Sequence, residues 1–466
     1  MAETPFTPEN LLTKAEELRG GLSTGFRDEI VKSLYSEAEK VANRAVKTRD
    51  DKRYDLDQRI DKVVTSPIYG LPIMFLVLAV IIWITVIGAN VISAWIAVPL
   101  FWIGEQGKMI FETIGMPWWL TGFIWDGVYL GLAWVVSVML PPMMIFFPCF
   151  TIMEDLGYLP RVAFNLDWLY RKSGAHGKQS LTMAMGFGCN AAGVISTRII
   201  DSPRERLIAI LTNNFVPCNG RFPTLIMLAT VFVAASFPAS LTSIIAAGTV
   251  VFIVMIGVAV TFVVSWLLSR TMLKGEASAF TLELPPYRHP NVKRIIYTSI
   301  IDRTLFVLWR AIQTAAPAGA AIWLLANITY NGTSLAWIIA NFLNPIGLLF
   351  GLDGVILLSY IIAIPANEIV VPTMMMMYMG AAAMTDIPDS ASMYTLLVGT
   401  YGWTLLTAIN LMLFSLLHNP CATTIMTIYK ETNSKKWATL SVVITLGIAF
   451  LVTFTTATIA RALGLV

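Results

Sequence analysis

Two stretches constrain this fold more than any others: GFGCNAAG at Gly186–Gly193 and VPCNGRFP at Val216–Pro223. Each is a polar, glycine- or proline-bearing cut in an apolar segment. In lipid every backbone N–H and C=O needs a partner inside the protein, so a broken helix survives only where protein or a water-filled path receives the freed groups. The cuts therefore predict an all-α polytopic membrane protein with its breaks gathered in the interior. At 56% hydrophobic and 13% charged residues, the chain is too apolar for an ordinary soluble protein of 466 residues. A formal net charge of +3 gives no reason to expect nucleic acid as a partner, and the lipid bilayer takes that place.

Crossing a bilayer takes about 20 apolar residues. Candidate spans run over Pro67–Ala89, Trp119–Leu140, Leu207–Val233, Leu241–Leu268, Leu305–Ala326, Leu335–Leu349, Val355–Met379, Leu396–Leu417 and Ala438–Ile459, with two of them short, tilted or re-entrant. Trp95–Met116 carries Glu105, Lys108 and Glu112 and reads as an interfacial helix outside the spans. RIIDSPRER at Arg198–Arg206 follows GFGCNAAG too closely for a crossing between them, which favours a re-entrant half-helix pair. Pro203 suits the first turn of the helix after it.

Met1–Ser66 is charged and lacks both a span and a signal-peptide pattern, so the N-terminus is expected in the cytoplasm. Within it Phe26, Ile30, Leu34, Ala38, Val41 and Ala45 recur at helical spacing, an amphipathic helix for the membrane surface, a soluble partner or the protein's own cytoplasmic face. Lys and Arg gather in three connections, around Arg161–Lys178, Arg270–Arg303 and Lys430–Lys436, and the positive-inside bias places the first of them on that same side. The organisation expected is a cytoplasmic segment 1–66, a first membrane repeat 67–272, a cytoplasmic connection 273–304 and a second membrane repeat 305–466.

Interrupted helices at the meeting of two halves are where transporters place their substrates. The first half offers GFGCNAAG and NNFVPCNGRFP, the second IPANEIVVP at Ile364–Pro372 and LLHNPCATT at Leu416–Thr424. Each thus has a cut with a polar group, then a Pro-Cys step. Carboxylate, imidazole and thiol inside a membrane are expensive unless used, which singles out Cys189, Cys218, Glu368, His418 and Cys421 as ligands for metal, with Asn190, Asn214 and backbone carbonyls filling out the site. Thiolate and imidazole favour iron(II), nickel(II), cobalt(II) or zinc(II) over magnesium or calcium. Cys149 reads as packing, His176 and His289 as solvated loop residues, and Met374–Met377 as lipid-facing filler, since at most two of four successive helical residues can face one ion. Asp155, Arg161, Arg204, Glu205 and Arg206 read as hinge or docking residues.

Longer stretches carry a resemblance. GLPIMF (Gly70–Phe75), FTIMEDLGYLPRVAFNLDWLYRKSGAHGKQS (Phe150–Ser180), GFGCN with TRIIDSPRERL, PCNGRFP, LKGEASAFTLELPPYRHP (Leu273–Pro290) and NPCATTIMTIYKETNSKKWA (Asn419–Ala438) resemble the membrane portion of the FeoB family, the ferrous iron transporters of bacteria. The resemblance implies two inverted Gate repeats, distantly related to nucleoside transporters. It also implies a metal path at Cys189, Asn190 and Cys218, joined by Cys421 and Glu368 from the second half. The chain departs from the family in three ways. It has no GxxxxGK[ST] phosphate loop, so a separate GTPase subunit is expected at the N-terminal helix. Ala191-Ala192-Gly193 follows GCN where valine-proline is usual. His418-Asn419 precedes the last Pro-Cys in place of apolar residues, and Asn367 stands where a basic residue adjoins the acid.

The function these readings support is import of a divalent transition metal, iron(II) or nickel(II), by a chain that is not an enzyme, holds no permanent cofactor and could pair with itself as a homo-oligomer. Ligand thiols should make binding weaken as pH falls. An organic-solute carrier would not need three thiols on its route, and a scaffold for a GTPase would bind no metal. No HExxH or GxSxG supports an intramembrane enzyme.

Overall fold

The computed structural model describes residues 26–45, 52–66, 68–234, 237–238, 241–275, 286–384 and 390–464. Residues 276–285 of the expected connection and 385–389 of the loop after the methionines lie outside it. Nearly everything described is helix; the two-residue strands Thr329–Tyr330 and Thr333–Ser334 pair antiparallel in a short hairpin. Among the described residues five helices are long and apolar enough to cross a membrane: Trp118–Leu156, Pro203–Val233, Ile244–Arg270, Leu405–Thr432 and Lys435–Ala462. Leu335–Leu349 and Gly354–Ile362 add a sixth crossing if counted together, although they are bent by 110°.

The order of elements repeats. The first half runs through Trp118–Leu156, the amphipathic Tyr158–Lys172, the broken pair Gln179–Gly188 and Asn190–Ser196, the broken pair Pro203–Thr212 and Phe222–Leu228, and Thr242–Arg270. The second half runs through Phe306–Asn327, Leu335–Leu349, the broken pair Gly354–Ile362 and Val370–Met379, the broken pair Leu405–Leu417 and Ala422–Thr432, and Lys435–Ala462. Backbone angles confirm the correspondence. Cys189 (φ −155°, ψ 124°) and Ala366 (φ −152°, ψ 114°) stop the first pair of each half, and Cys218 (φ −81°, ψ 170°) and Cys421 (φ −63°, ψ 160°) stop the second.

Several expectations need correcting. Trp95–Met116 is no separate interfacial helix, because one helix continues from Gly70 to Thr113. Its 44 residues reach about 66 Å, roughly twice a hydrocarbon core. Lys108 in this extension is paired with Asp126 at 2.7 Å, a compensation that sequence spacing does not reveal. Val355–Met379 is cut at the expected IPANEIVVP, whereas Leu396–Leu417 is not one uninterrupted helix. The first breaks between Ile362 and Val370, and the second starts at Leu405 after a wide turn of helix at Thr395–Thr400. Met374–Met377 do not face lipid, since all four are buried in the core. His176 is buried too, with its Nδ1 accepting from the Lys178 N–H at 3.0 Å, whereas His289 is exposed as expected.

The first helices of the two halves meet without side chains between them. A Cβ on Gly319 would strike the Gly127 carbonyl, and one on Gly131 would lie 3.0 Å from the Gly319 Cα. Close backbone approach of this kind is how small residues bring membrane helices together. Away from the apolar core, charges tie loops to helices. Arg161, almost fully buried, donates from Nε and Nη2 to the two carboxylate oxygens of Asp61 at 2.9 and 3.0 Å, and from Nη1 to the Gly157 carbonyl at 2.8 Å. The Tyr287 ring covers its guanidinium at 4.1 Å, and the Tyr287 hydroxyl donates to Asp61 at 2.9 Å. Glu431 accepts from Arg198 at 2.6 and 2.9 Å and from Arg206 at 3.0 Å, joining the first repeat to the second.

The Phe26–Ala45 helix has the bounds read from its periodicity. Ile30, Leu34 and Val41 on it are exposed, so its apolar stripe is not packed on the protein's own surface.

Candidate functional site

The four breaks gather around one pocket. Cys189, Asn190, Cys218, Asn367, Glu368 and Cys421 line it, with Gly188, Gly220 and Thr424 among their neighbours. Each thiol sits at the residue preceding a new helical segment, where the chain is extended and the side chain is freed from the helix it starts. Helix starts favour negative charge beside them, and thiol groups become ligands as anions. A regular helix through Cys189 or Cys218 would satisfy the backbone but turn these groups elsewhere.

Local packing explains the glycines. Gly186 and Gly193 face Asn213: a Cβ at Gly186 would lie 3.0 Å from its Oδ1, and one at Gly193 would collide with its amide. Asn213 in turn donates to the Asn190 carbonyl at 3.1 Å, tying the two breaks of the first repeat. In the second repeat the Ala422 N–H does the same to the Ile364 carbonyl at 2.9 Å. The Asn190 side-chain nitrogen, with its amide suitably turned, donates to Gly186 O at 3.0 Å and Val216 O at 3.2 Å.

Gly220 bears directly on Glu368, because a Cβ there would overlap the Glu368 carboxylate. Gly220→Ala is therefore expected to leave the protein folded but push that carboxylate aside, lowering metal flux about tenfold, as loss of a supporting group at a metal site does. Flux in liposomes at matched protein amounts checks this, and unchanged flux would remove Glu368 from the path.

Not every expected ligand reaches the pocket. Asn214 is fully buried and donates to Ser441 Oγ at 2.9 Å, bracing the last helix rather than lining the cavity. His418 lies one layer behind. Its Nδ1 donates to Ser415 O at 2.8 Å, and its Nε2 lies 3.4 Å from Asn367 Oδ1. Tyr360 and Phe414 pack on its ring. Cys149 is partly buried against the core. Among the described residues no three His, Cys, Asp or Glu side chains are grouped closely enough to hold an ion.

Reading the sequence missed Arg221 as a functional residue. It is fully buried, and its guanidinium donates to carbonyls from both repeats. A lone arginine in the apolar PCNGRFP segment was the available signal, because charge at membrane depth is seldom idle.

Comparison with known proteins agrees with this geometry. The family model for nucleoside recognition, the Gate domain, matches residues 136–232 and 308–435, one segment in each half. The model for the ferrous iron transport protein B C terminus matches residues 250–302. The Fe(2+) transporter FeoB of Staphylococcus aureus (strain MSSA476) is 28% identical over 466 residues, covering 92% of this chain and 65% of that protein. A fusion of Fe(2+) transport protein A with Fe(2+) transporter FeoB from Porphyromonas gingivalis is 26% identical, covering 86% and 51%. The Legionella pneumophila (strain Paris) FeoB is 27% identical, covering 74% and 45%. The chain thus spans about two thirds or less of the curated relatives it matches. No solved structure matches it. Two Gate segments, a ferrous iron transport protein B C-terminal segment between them and FeoB relatives aligned along nearly the whole chain make it similar to the membrane region of the FeoB transporters.

Proposed function

We propose that this protein carries iron(II) across the cytoplasmic membrane, through the pocket where the helix breaks meet. The observation that carries this reading is the convergence of three cysteines from both repeats, with Glu368, on one pocket. Entering from the outer side, the ion trades water for these donors in succession, the Cys189, Cys218 and Cys421 thiolates, the Glu368 carboxylate and the Asn190 and Asn367 amide oxygens, without three of the thiols and carboxylate holding it at once. It then leaves toward the basic face. Thiolates select against magnesium and calcium, which prefer all-oxygen shells.

Iron(II) ranks above nickel(II) for two reasons. The relatives bear the name Fe(2+) transporter, and the imidazole that favoured nickel stands behind Asn367 instead of on the pocket wall. A separate GTPase subunit would act from the exposed apolar stripe of Phe26–Ala45.

The test is transport by the purified protein in liposomes loaded with a metal-quenched dye, given iron(II), nickel(II), cobalt(II), manganese(II) or magnesium(II) in turn. Iron(II) is expected to quench fastest and magnesium(II) not at all. Flux of nickel(II) exceeding iron(II) would change the assigned cargo, and absence of flux for every ion would return the chain to the solute-carrier or scaffold readings.

A further inference from the structure

Arg221 belongs to the first repeat, yet most of its hydrogen bonds go to the second. Nη1 donates to Asn214 O at 2.9 Å and Leu416 O at 2.7 Å; Nη2 donates to His418 O at 3.0 Å and Asn419 O at 3.2 Å. These are the carbonyls stranded where the Pro203–Thr212 and Leu405–Leu417 helices stop, ahead of Pro217 and Pro420. A helix end carries partial negative charge and unmet acceptors, and at membrane depth no bulk water can serve them. The guanidinium answers both ends with one planar fork, a geometry that an ammonium cannot reproduce. Among the described residues no carboxylate forms an ion pair with it, and its Nε has no hydrogen-bond partner, so these carbonyls are its recorded acceptors.

The repeat is lopsided at this point. Counting three residues from the matched cysteines, Arg221 follows Cys218 as Thr424 follows Cys421, and Thr424 Oγ1 reaches only its own cysteine, 3.4 Å from Sγ. One side chain therefore serves a task that symmetry would have divided between two.

We propose that Arg221 is the positioning residue of the pocket, clasping the second repeat's break against the first so that Cys421 faces Cys218. The inference rests on the thiol pathway above for its role in transport, but the juxtaposition can be tested without metal. In full-length protein carrying Cys149→Ala and Cys189→Ala, a short bifunctional methanethiosulfonate should link Cys218 to Cys421, read by mass spectrometry of the joined peptides. Arg221→Met is expected to lower the yield at least fivefold. Arg221→Lys keeps the charge without the fork and should fall between, at least twofold below the parent.

Elution as a single species in detergent reports folding. Should Arg221→Met not fold, Arg221→Lys decides alone. Parental yields in the variants that fold, or no link in the parent protein, would overturn the proposal. Yields that follow Arg221 in a parent protein that moves no metal would leave the clasp standing and remove the transport reading instead.

Discussion

Replacing Cys218 and Cys421 together by serine is expected to cut iron(II) flux by about 100-fold or more. Supporting groups at metal sites are worth about 10–100-fold when lost, and groups that touch the ion should be worth at least as much. Serine keeps nearly the size of each position and is itself a good helix N-cap, so helix starts at both breaks should form as before. What disappears is the soft donor. Because the two residues come from matched positions in opposite repeats and line one pocket, each single variant should lose much of the flux, and the pair less than the product of the two losses, as neighbours at one site do. Cys149→Ala, partly buried against the core, should transport like the parent. A double variant within threefold of the parent would sink the thiol pathway, whatever the fate of the other residues.

Asp61→Ala should release the Lys52–Val64 helix from the bundle. The Asp61 carboxylate faces a guanidinium that is almost fully buried, and taking away one partner of such a pair costs about 3–5 kcal/mol. Asp61 itself is about a quarter exposed, which puts the expected loss near about 3 kcal/mol, or about two orders of magnitude in local opening. Hydrogen exchange over Lys52–Val64 and Tyr158–Lys172 reads this directly, and unchanged protection would show that the contact does not hold the helix.

The same cluster has a defined pH window. Burial opposes ionisation of Asp61, but hydrogen bonds from Arg161 and Tyr287, with the Arg161 charge, hold its carboxyl below the ordinary 3.8. Its stabilisation is therefore complete above that value and is lost as pH falls through the lower, folded one. Burial and the bond to Asp61 push the Tyr287 hydroxyl up to about 12, from 10.0. That contribution is complete below 10.0 and fades as pH rises toward about 12. Protection of Lys52–Val64 should accordingly be flat across the neutral range.

The sequence was most legible where chemistry punctuates it. Glycine, proline and asparagine inside apolar segments located all four breaks, and i, i+3/i+4 spacing gave the bounds of Phe26–Ala45. Periodicity failed where every face is apolar: Met374–Met377 sit on a helix surrounded by protein, and nothing in a uniformly apolar run distinguishes protein neighbours from lipid. It failed again where the compensating group is distant in sequence. Lys108 and Glu105 argued for an interface because Asp126 could not be seen beside them, and Arg221 looked incidental because three of its four acceptors lie almost 200 residues further on. The pseudo-repeat was readable from two Pro-Cys steps. That Cys189 answers to Ala366 and not to a fourth cysteine emerged only from backbone angles.

The Glu431 bridge makes the joint between the repeats unequal in stiffness. At the glycine crossing the backbones touch, and at Arg221 the bonds are sealed from water, so dissolved ions reach neither contact. Arg198, in contrast, is 65% exposed, and about 0.15 M salt screens charges over roughly 8 Å. Raising ionic strength should therefore weaken chiefly the Arg198 arm of the bridge, while Glu431, only 6% exposed, keeps its bond to the less exposed Arg206.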